Sequence, residues 1–271
     1  MSQVRALVVT GFGTNCEHES AHALRQAGAD SVTIGYFFDL IAKKIFLPDY
    51  NYLLFPGGFL DGDDLGAAQA AALRWKFLTT SSGQPLREQL DRFLANGGII
   101  LGICNGFQLL VKLGLLPALH DENYERQVSL SYNDSGRYED RWIWLRANPK
   151  SPCVFTRGLE TIYLPVRHGE GKLIPKDDQT LRDIVKNELI ALQYADPATK
   201  MPTLEYPHNP NGSPLGIAGL TNPAGTILGL MPHPEAYNDP TNHPCWTRMK
   251  EEDHLLGTAL LTGGVRYLRE H

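Results

Sequence analysis

The sequence predicts an α/β fold: an open, mostly parallel sheet with helices on both faces. Two observations lead there. Short apolar, β-rich runs alternate with stretches of helical periodicity through the first half, and the first and third of them stop on glycine or proline. The chain has 271 residues, of which 42% are hydrophobic and 20% charged, enough to bury a two-faced sheet without disulfide or metal staples. With a mean hydropathy of -0.24, disorder, collagen and coiled coil are excluded.

Val4 to Val9 is the first strand, ending at Gly11 and Gly13. A helix follows from about Glu17, with Ala21, Leu24 and Ala27 on one face, and stops at Gly28. Ser31 to Tyr36 is the second strand. Tyr52 to Phe55 is the third, halted by Pro56-Gly57-Gly58. Helical stretches fill Asp64 to Phe77 and Pro85 to Ala95. Ile99 to Ile103 is the fourth strand, and Gly106 to Leu113 the helix after it. Strands separated by helices imply right-handed crossovers and a parallel sheet covered on both faces.

The second half changes character. Arg141 to Arg146, Thr161 to Arg167, Leu189 to Tyr194 and Thr226 to Met231 read as strands with few helices between them. Such spacing implies some antiparallel pairing. Pro202 to Pro214 must be a loop, and an amphipathic helix from about Lys250 to Arg269 closes the chain. Neither a repeat nor a linker interrupts the pattern, so one domain over 1–271 is expected.

A net charge of -5 without a basic cluster argues against nucleic acid as the main partner. Cys16, Cys104, Cys153 and Cys245 are far apart and read as free thiols in a reducing compartment. The apolar stretch from Gly97 to Leu116 carries Asn105, Gln108 and Lys112. It reads as a buried strand running into a helix, not a membrane span. Met1 to Thr10 lacks the features of a secretory signal, and a cytoplasmic location is the expectation.

The residues that carry chemistry begin with Gly102-Ile103-Cys104-Asn105-Gly106. A cysteine between glycines, placed between an apolar strand and a helix, is the thiol counterpart of the nucleophile elbow. The tight turn leaves no room for side chains two residues to either side. The helix then aims its free N–H groups at the sulfur, which favours a thiolate. A thiolate needs a proton shuttle. His233 and Glu235 lie just past the last apolar strand, and in an extended segment residues two apart project to the same side. Glu235 would then hold the imidazole while His233 moves protons. The glycines of Pro56-Gly57-Gly58-Phe59 leave N–H groups free, and with the N–H of Asn105 they would cradle an oxyanion.

Two weaker signals are set aside. Gly11 to Cys16 begins like a dinucleotide loop but lacks the third glycine, and Cys16 reads as a buried structural thiol. His18, His22, His120, His168 and His208 make no metal pattern, so no metal is expected. The residues alone reach a cysteine-dependent acyl-transfer enzyme.

Three strings, GICNGFQ at Gly102 to Gln108, PGGF at Pro56 to Phe59 and PHPE at Pro232 to Glu235, resemble class I, triad-type glutamine amidotransferases. Within that class, GTNCEHE at Gly13 to Glu19, HGEGK at His168 to Lys172, NPNGS at Asn209 to Ser213, IAGLTN at Ile217 to Asn222 and GLMPHPE at Gly229 to Glu235 resemble the glutaminase subunits of phosphoribosylformylglycinamidine synthases. The match spans nearly the whole chain. The resemblance implies a class I amidotransferase-like sheet. It also implies that Cys104 attacks the amide of L-glutamine to give a thioester and ammonia, with His233 and Glu235 behind it. Gly57, Gly58 and Asn105 would form the oxyanion hole, and Gln108 would help hold the glutamine. Ammonia would pass to a large synthetase subunit, with a small third subunit in some complexes. ATP and Mg would be used by that partner, since this chain has no Walker-type loop. His168 and Glu170 would line the substrate end or the partner face.

Departures from the family's pattern accompany these matches. Leu60-Asp61-Gly62-Asp63 replaces a Ser-Tyr-Gly-Asp string, and Ala236 stands where an arginine is common. Extra length is expected around Phe77 to Pro85 and Pro175 to Pro214. Two other classes stay open at this level: a stand-alone cysteine hydrolase, and a silent docking subunit, against which the intact Cys104, His233 and Glu235 argue.

Overall fold

The computed structural model describes residues 2–121, 124–250 and 255–271. Strand β1 (Arg5–Thr10) leads through α1 (Glu17–Gln26) into β2 (Ser31–Tyr36), which lies parallel beside it. After the short α2 (Phe37–Ile41) the chain crosses to the other side of β1 and forms β3 (Tyr52–Phe55). Helices α3 (Gln69–Phe77) and α4 (Leu86–Ala95) carry it to β4 (Ile99–Ile103), parallel to β3, and α5 (Asn105–Leu113) follows at once. Leu7, Leu53, Leu54, Ile100 and Leu101 in these strands are fully buried. Each such side chain contributes roughly 1.5–3 kcal/mol.

The chain then forms β5 (Val128–Tyr132), β6 (Glu139–Ala147), β7 (Thr161–His168) and β8 (Glu170–Pro175). Helix α6 (Asp178–Lys186) precedes β9 (Ile190–Ala195), β10 (Ile217–Thr221), β11 (Ile227–Leu230) and the closing α7 (Thr258–Glu270). Among the described residues, nine strands join in the order β2-β1-β3-β4-β11-β10-β9-β6-β7, while β5 and β8 pair separately. From β2 to β11 neighbours run parallel; from β11 to β7 every pairing is antiparallel.

Crossovers from β1 toward β2 and from β3 toward β4 run in opposite directions, so right-handed connections put their helices on opposite faces. The packing agrees, with α1 against α7 and α3 against both α4 and α5. The predicted fold class therefore holds, antiparallel strands included. No helix among the described residues is long and apolar enough to cross a membrane.

Several elements differ from expectation. The helix expected from Asp64 begins only at Gln69, because Gly66 and Ala68 sit at φ 91° and 59° and turn the chain first. The last helix begins at Thr258 rather than near Lys250; residues 251–254 lie outside the described ones. The span 175–214 holds α6, which was not expected, beside the expected strand β9, and 203–213 has no regular element, as expected. β5, β8 and β10 were not anticipated as strands. β10 is buried along its whole length and carries a bulge against β9, so it shows no alternation.

Candidate active site

Five strands end on one edge of the sheet and deliver the side chains of interest. The 11–16 loop leaves β1, the 56–60 loop leaves β3, Cys104 follows β4, and His233 follows β11. Alternating antiparallel pairings bring β7 round to the same direction, so its terminal His168 reaches that edge too. The edge includes the switch point between β1 and β3, where open α/β sheets bind ligands.

Cys104 has φ 50° and ψ -102°, a strained geometry at the junction of β4 and α5. The glycines explain how it is tolerated. A methyl on Gly102 would lie 2.7 Å from the carbonyl oxygen of Gly106, and one on Gly106 would lie 2.0 Å from the Phe55 carbonyl oxygen. The backbone around Cys104 is held by its N–H to Leu230 at 2.8 Å and by its carbonyl, which accepts from Gln108 N–H at 3.0 Å. Its thiol points to the Arg167 carbonyl at 3.6 Å.

His233 and Glu235 are buried, and His233 Nδ1 lies 2.6 Å from Glu235 Oε1. The backbone differs from the extended segment expected: Pro234–Ala236 is one turn of 3-10 helix, and the pairing survives because that turn folds Glu235 back toward the ring. His233 Nε2 has no hydrogen-bond partner among the described residues. Burial disfavours the imidazolium, but the Glu235 carboxylate and the Cys104 and Cys16 sulfurs outweigh it, so its pKa stands well above the ordinary histidine value.

The 56–60 loop lies against the 11–15 loop. Phe59 N–H donates to Gly13 at 2.8 Å and Asn15 N–H to Gly57 at 3.4 Å. Gly58, at φ 140°, has no room for a side chain beside the Thr14 backbone. No protein acceptor among the described residues takes the N–H groups of Gly57 and Gly58, and Asn105 supplies a first-turn helical N–H. The Asn105 side chain works on the opposite side. Its Oδ1 accepts from Leu60 N–H at 3.0 Å, and its Nδ2 donates to Gln108 Oε1 at 2.9 Å. Gln108 Nε2 in turn donates to the Glu170 carbonyl at 2.7 Å, so this amide fastens α5 to the β7–β8 turn.

A cavity of about 350 Å³ opens over these groups, lined among others by Cys104, His233, Gln108 and Gly58. Cys16, expected to be a structural thiol apart from the chemistry, is also in its wall. The start of α1 carries it there, and Cys16, His233 and Glu235 each bring a donor atom within 4.8 Å of the others. Burial pushes the Cys16 thiol up, against the pull of the neighbouring His233. His168 and Glu170 line the same cavity. In the departing string, Asp61 pairs with Arg74 at 2.6 Å and Asp63 joins the cavity wall.

Tyr132 and Tyr138, exposed at the rim, and Asn133 behind His168 had no sequence signal as single residues. Only a run of polar residues before β6 marked the region.

Comparisons with known proteins give the same direction. Residues 3–268 match the model of the CobB/CobQ-like glutamine amidotransferase domain. The chain is 39% identical over 272 residues to phosphoribosylformylglycinamidine synthase subunit PurQ of Dehalococcoides mccartyi, covering 100% of both chains. It is 42% identical over 231 residues to the PurQ of Methanococcus maripaludis, covering 85% of this chain and 81% of that one. Among solved structures, PurLQS from Thermotoga maritima aligns with a TM-score of 0.70 at 26% identity, over 98% of this chain and 100% of that chain. The chain belongs to the CobB/CobQ-like glutamine amidotransferase family, in the branch of the phosphoribosylformylglycinamidine synthase PurQ subunits.

Proposed function

We propose that this chain is the glutaminase subunit of a phosphoribosylformylglycinamidine synthase, acting as one amidotransferase domain over 1–271. The observation that carries the reading is Cys104 on its strained elbow beside the buried His233–Glu235 pair, in a chain of this family. Cys104 attacks the side-chain amide of L-glutamine. The N–H groups of Gly57, Gly58 and Asn105 take the charge that develops on the amide oxygen. His233 gives its proton to the nitrogen, the C–N bond breaks, and ammonia leaves a γ-glutamyl thioester on Cys104. Water then attacks the thioester, loses a proton to His233, and glutamate departs. Glu235 holds the imidazole through Nδ1, leaving Nε2 to face the reaction. Gln108 shapes the glutamine end of the cavity while tied to Asn105 and Glu170.

The ammonia goes to a large synthetase subunit, where ATP with Mg activates the formylglycinamide ribonucleotide for conversion to the amidine. A small third subunit joins the complex in some organisms, and the assembly works in the cytoplasm. In native lysate, a diazo-ketone analogue of glutamine should label Cys104, and excess glutamine should block the label. A folded chain with no label at Cys104 would refute the reading.

A further inference from the structure

β7 ends at His168 with its side chain turned inward, 2% exposed, in the wall of the cavity that holds Cys104 and His233. Its protonation is set by Asn133. The Asn133 Nδ2 donates to the carbonyls of Arg137 at 2.9 Å and His168 at 2.8 Å, so Oδ1 is the acceptor of that amide. Oδ1 faces His168 Nδ1 at 3.0 Å and also takes the Gly171 N–H at 3.2 Å. Nδ1 therefore carries the hydrogen, and Nε2 presents a bare lone pair. Burial, reinforced by the charge on His233, pushes the imidazolium pKa down to about 3, so the ring is neutral at working pH. Nε2 is buried and has no partner among the described residues. A desolvated acceptor in a substrate cavity is built for an N–H that the ligand brings.

Glutamine offers two such donors, its α-ammonium and its carboxamide. A cation next to a neutral ring that already feels the His233 charge is the poorer match, and Glu19 and Glu170 in the same wall suit it better. The carboxamide nitrogen must approach His233 to be protonated, which brings it toward His168. We propose that His168 Nε2 accepts an N–H of the carboxamide nitrogen, steering that nitrogen's lone pair toward His233. The inference rests on the glutaminase reading above. As the C–N bond breaks, its electron pair stays on nitrogen and the proton comes from His233. His168 then holds the ammonia through the ammonia's own N–H, with no proton to give, so the product stays a nucleophile.

The test uses the complex with its synthetase partner and two substrates that form the same thioester: L-glutamine, and the γ-methyl ester of L-glutamate, whose leaving group has no N–H. For His168→Leu, kcat/KM on glutamine should fall about 10- to 100-fold, the range of one buried hydrogen bond to a reacting group. On the ester the change should stay within about threefold. His168→Gln, whose Oε1 can accept the same N–H, should recover much of the loss on glutamine. Equal losses on both substrates would overturn the assignment in favour of the α-ammonium or of packing, and so would no loss at all. Should the wild-type complex turn over neither substrate, the glutaminase reading itself falls and takes this inference with it.

Discussion

The parallel and antiparallel halves of the sheet serve the cavity in different ways. The parallel half, β2 to β11, supplies backbone and nucleophile: the 11–16 and 56–60 loops, Cys104 on its elbow and the His233 turn. The antiparallel half supplies a polar wall through the end of β7 and the turn into β8, with Arg167, His168 and Glu170. One half is held by hard steric limits on backbone. The other is held by the Asn133 side chain, whose Oδ1 faces His168 Nδ1 and accepts from the Gly171 N–H. Chemistry that demands a strained turn belongs on the buried parallel strands, where nothing yields.

The largest break in this contrast is Cys104→Ala, which should lower glutamine-dependent turnover by about ten-thousand-fold. Turnover from added ammonia should persist, because the synthetase is untouched. Steady-state assays with each nitrogen source check it. Next comes Glu235→Gln, expected to cost about a hundredfold in kcat with little change in KM, since it acts on the shuttle rather than on binding.

Gly106→Ala tests the steric side. Its added carbon would sit 2.0 Å from the Phe55 carbonyl oxygen, so the variant should lose about 3 kcal/mol of stability by urea titration. A shift under about 0.5 kcal/mol would show that the elbow yields after all.

A pH series separates the halves by sign. The folded pKa of His168 is depressed to about 3, so below its unfolded value near 6.5 the unfolded chain binds the extra proton. Its contribution is full above pH 6.5 and is lost as pH falls toward 3, at roughly 1.4 kcal/mol per pH unit. His233 has a raised folded pKa, so its contribution is full below about 6.5 and fades as pH rises through the folded value. His168→Leu should flatten the acid limb and leave the alkaline one, read from thermal midpoints across pH. The smallest effect falls far from the cavity: Asp177 caps α6 by accepting from Thr180 N–H at 2.7 Å, so Asp177→Ala should cost about 1 kcal/mol and leave turnover unchanged.

Legibility in the sequence follows the same division. β1 and β3 are short apolar runs closed by Gly11 and Pro56, β4 is one that runs into the elbow, and the elbow needs glycines at fixed spacing, so all showed in the residues alone. β10 did not, because all five of its residues are buried and no in–out alternation marks them. α6 is marked in the sequence only by its cap, Asp177 three residues before Thr180, ahead of Leu181 and Ile184. Cys16 and Asn133 acquire their place only through tertiary approach, Cys16 to a ring that arrives from β11 and Asn133 to one that arrives from β7. Neither neighbour is near in sequence, so no local pattern encodes them.

Cutting nitrogen from glutamine at Cys104 and handing it on is the step that sets this site apart from a plain hydrolase. The most direct test feeds the complex of this chain and its synthetase with glutamine carrying 15N in the side-chain amide, in the presence of unlabelled ammonium. The amidine product should carry 15N with the wild-type chain and only unlabelled nitrogen with Cys104→Ala. Label in the product of the Cys104→Ala complex, or none in that of the wild type, would contradict it.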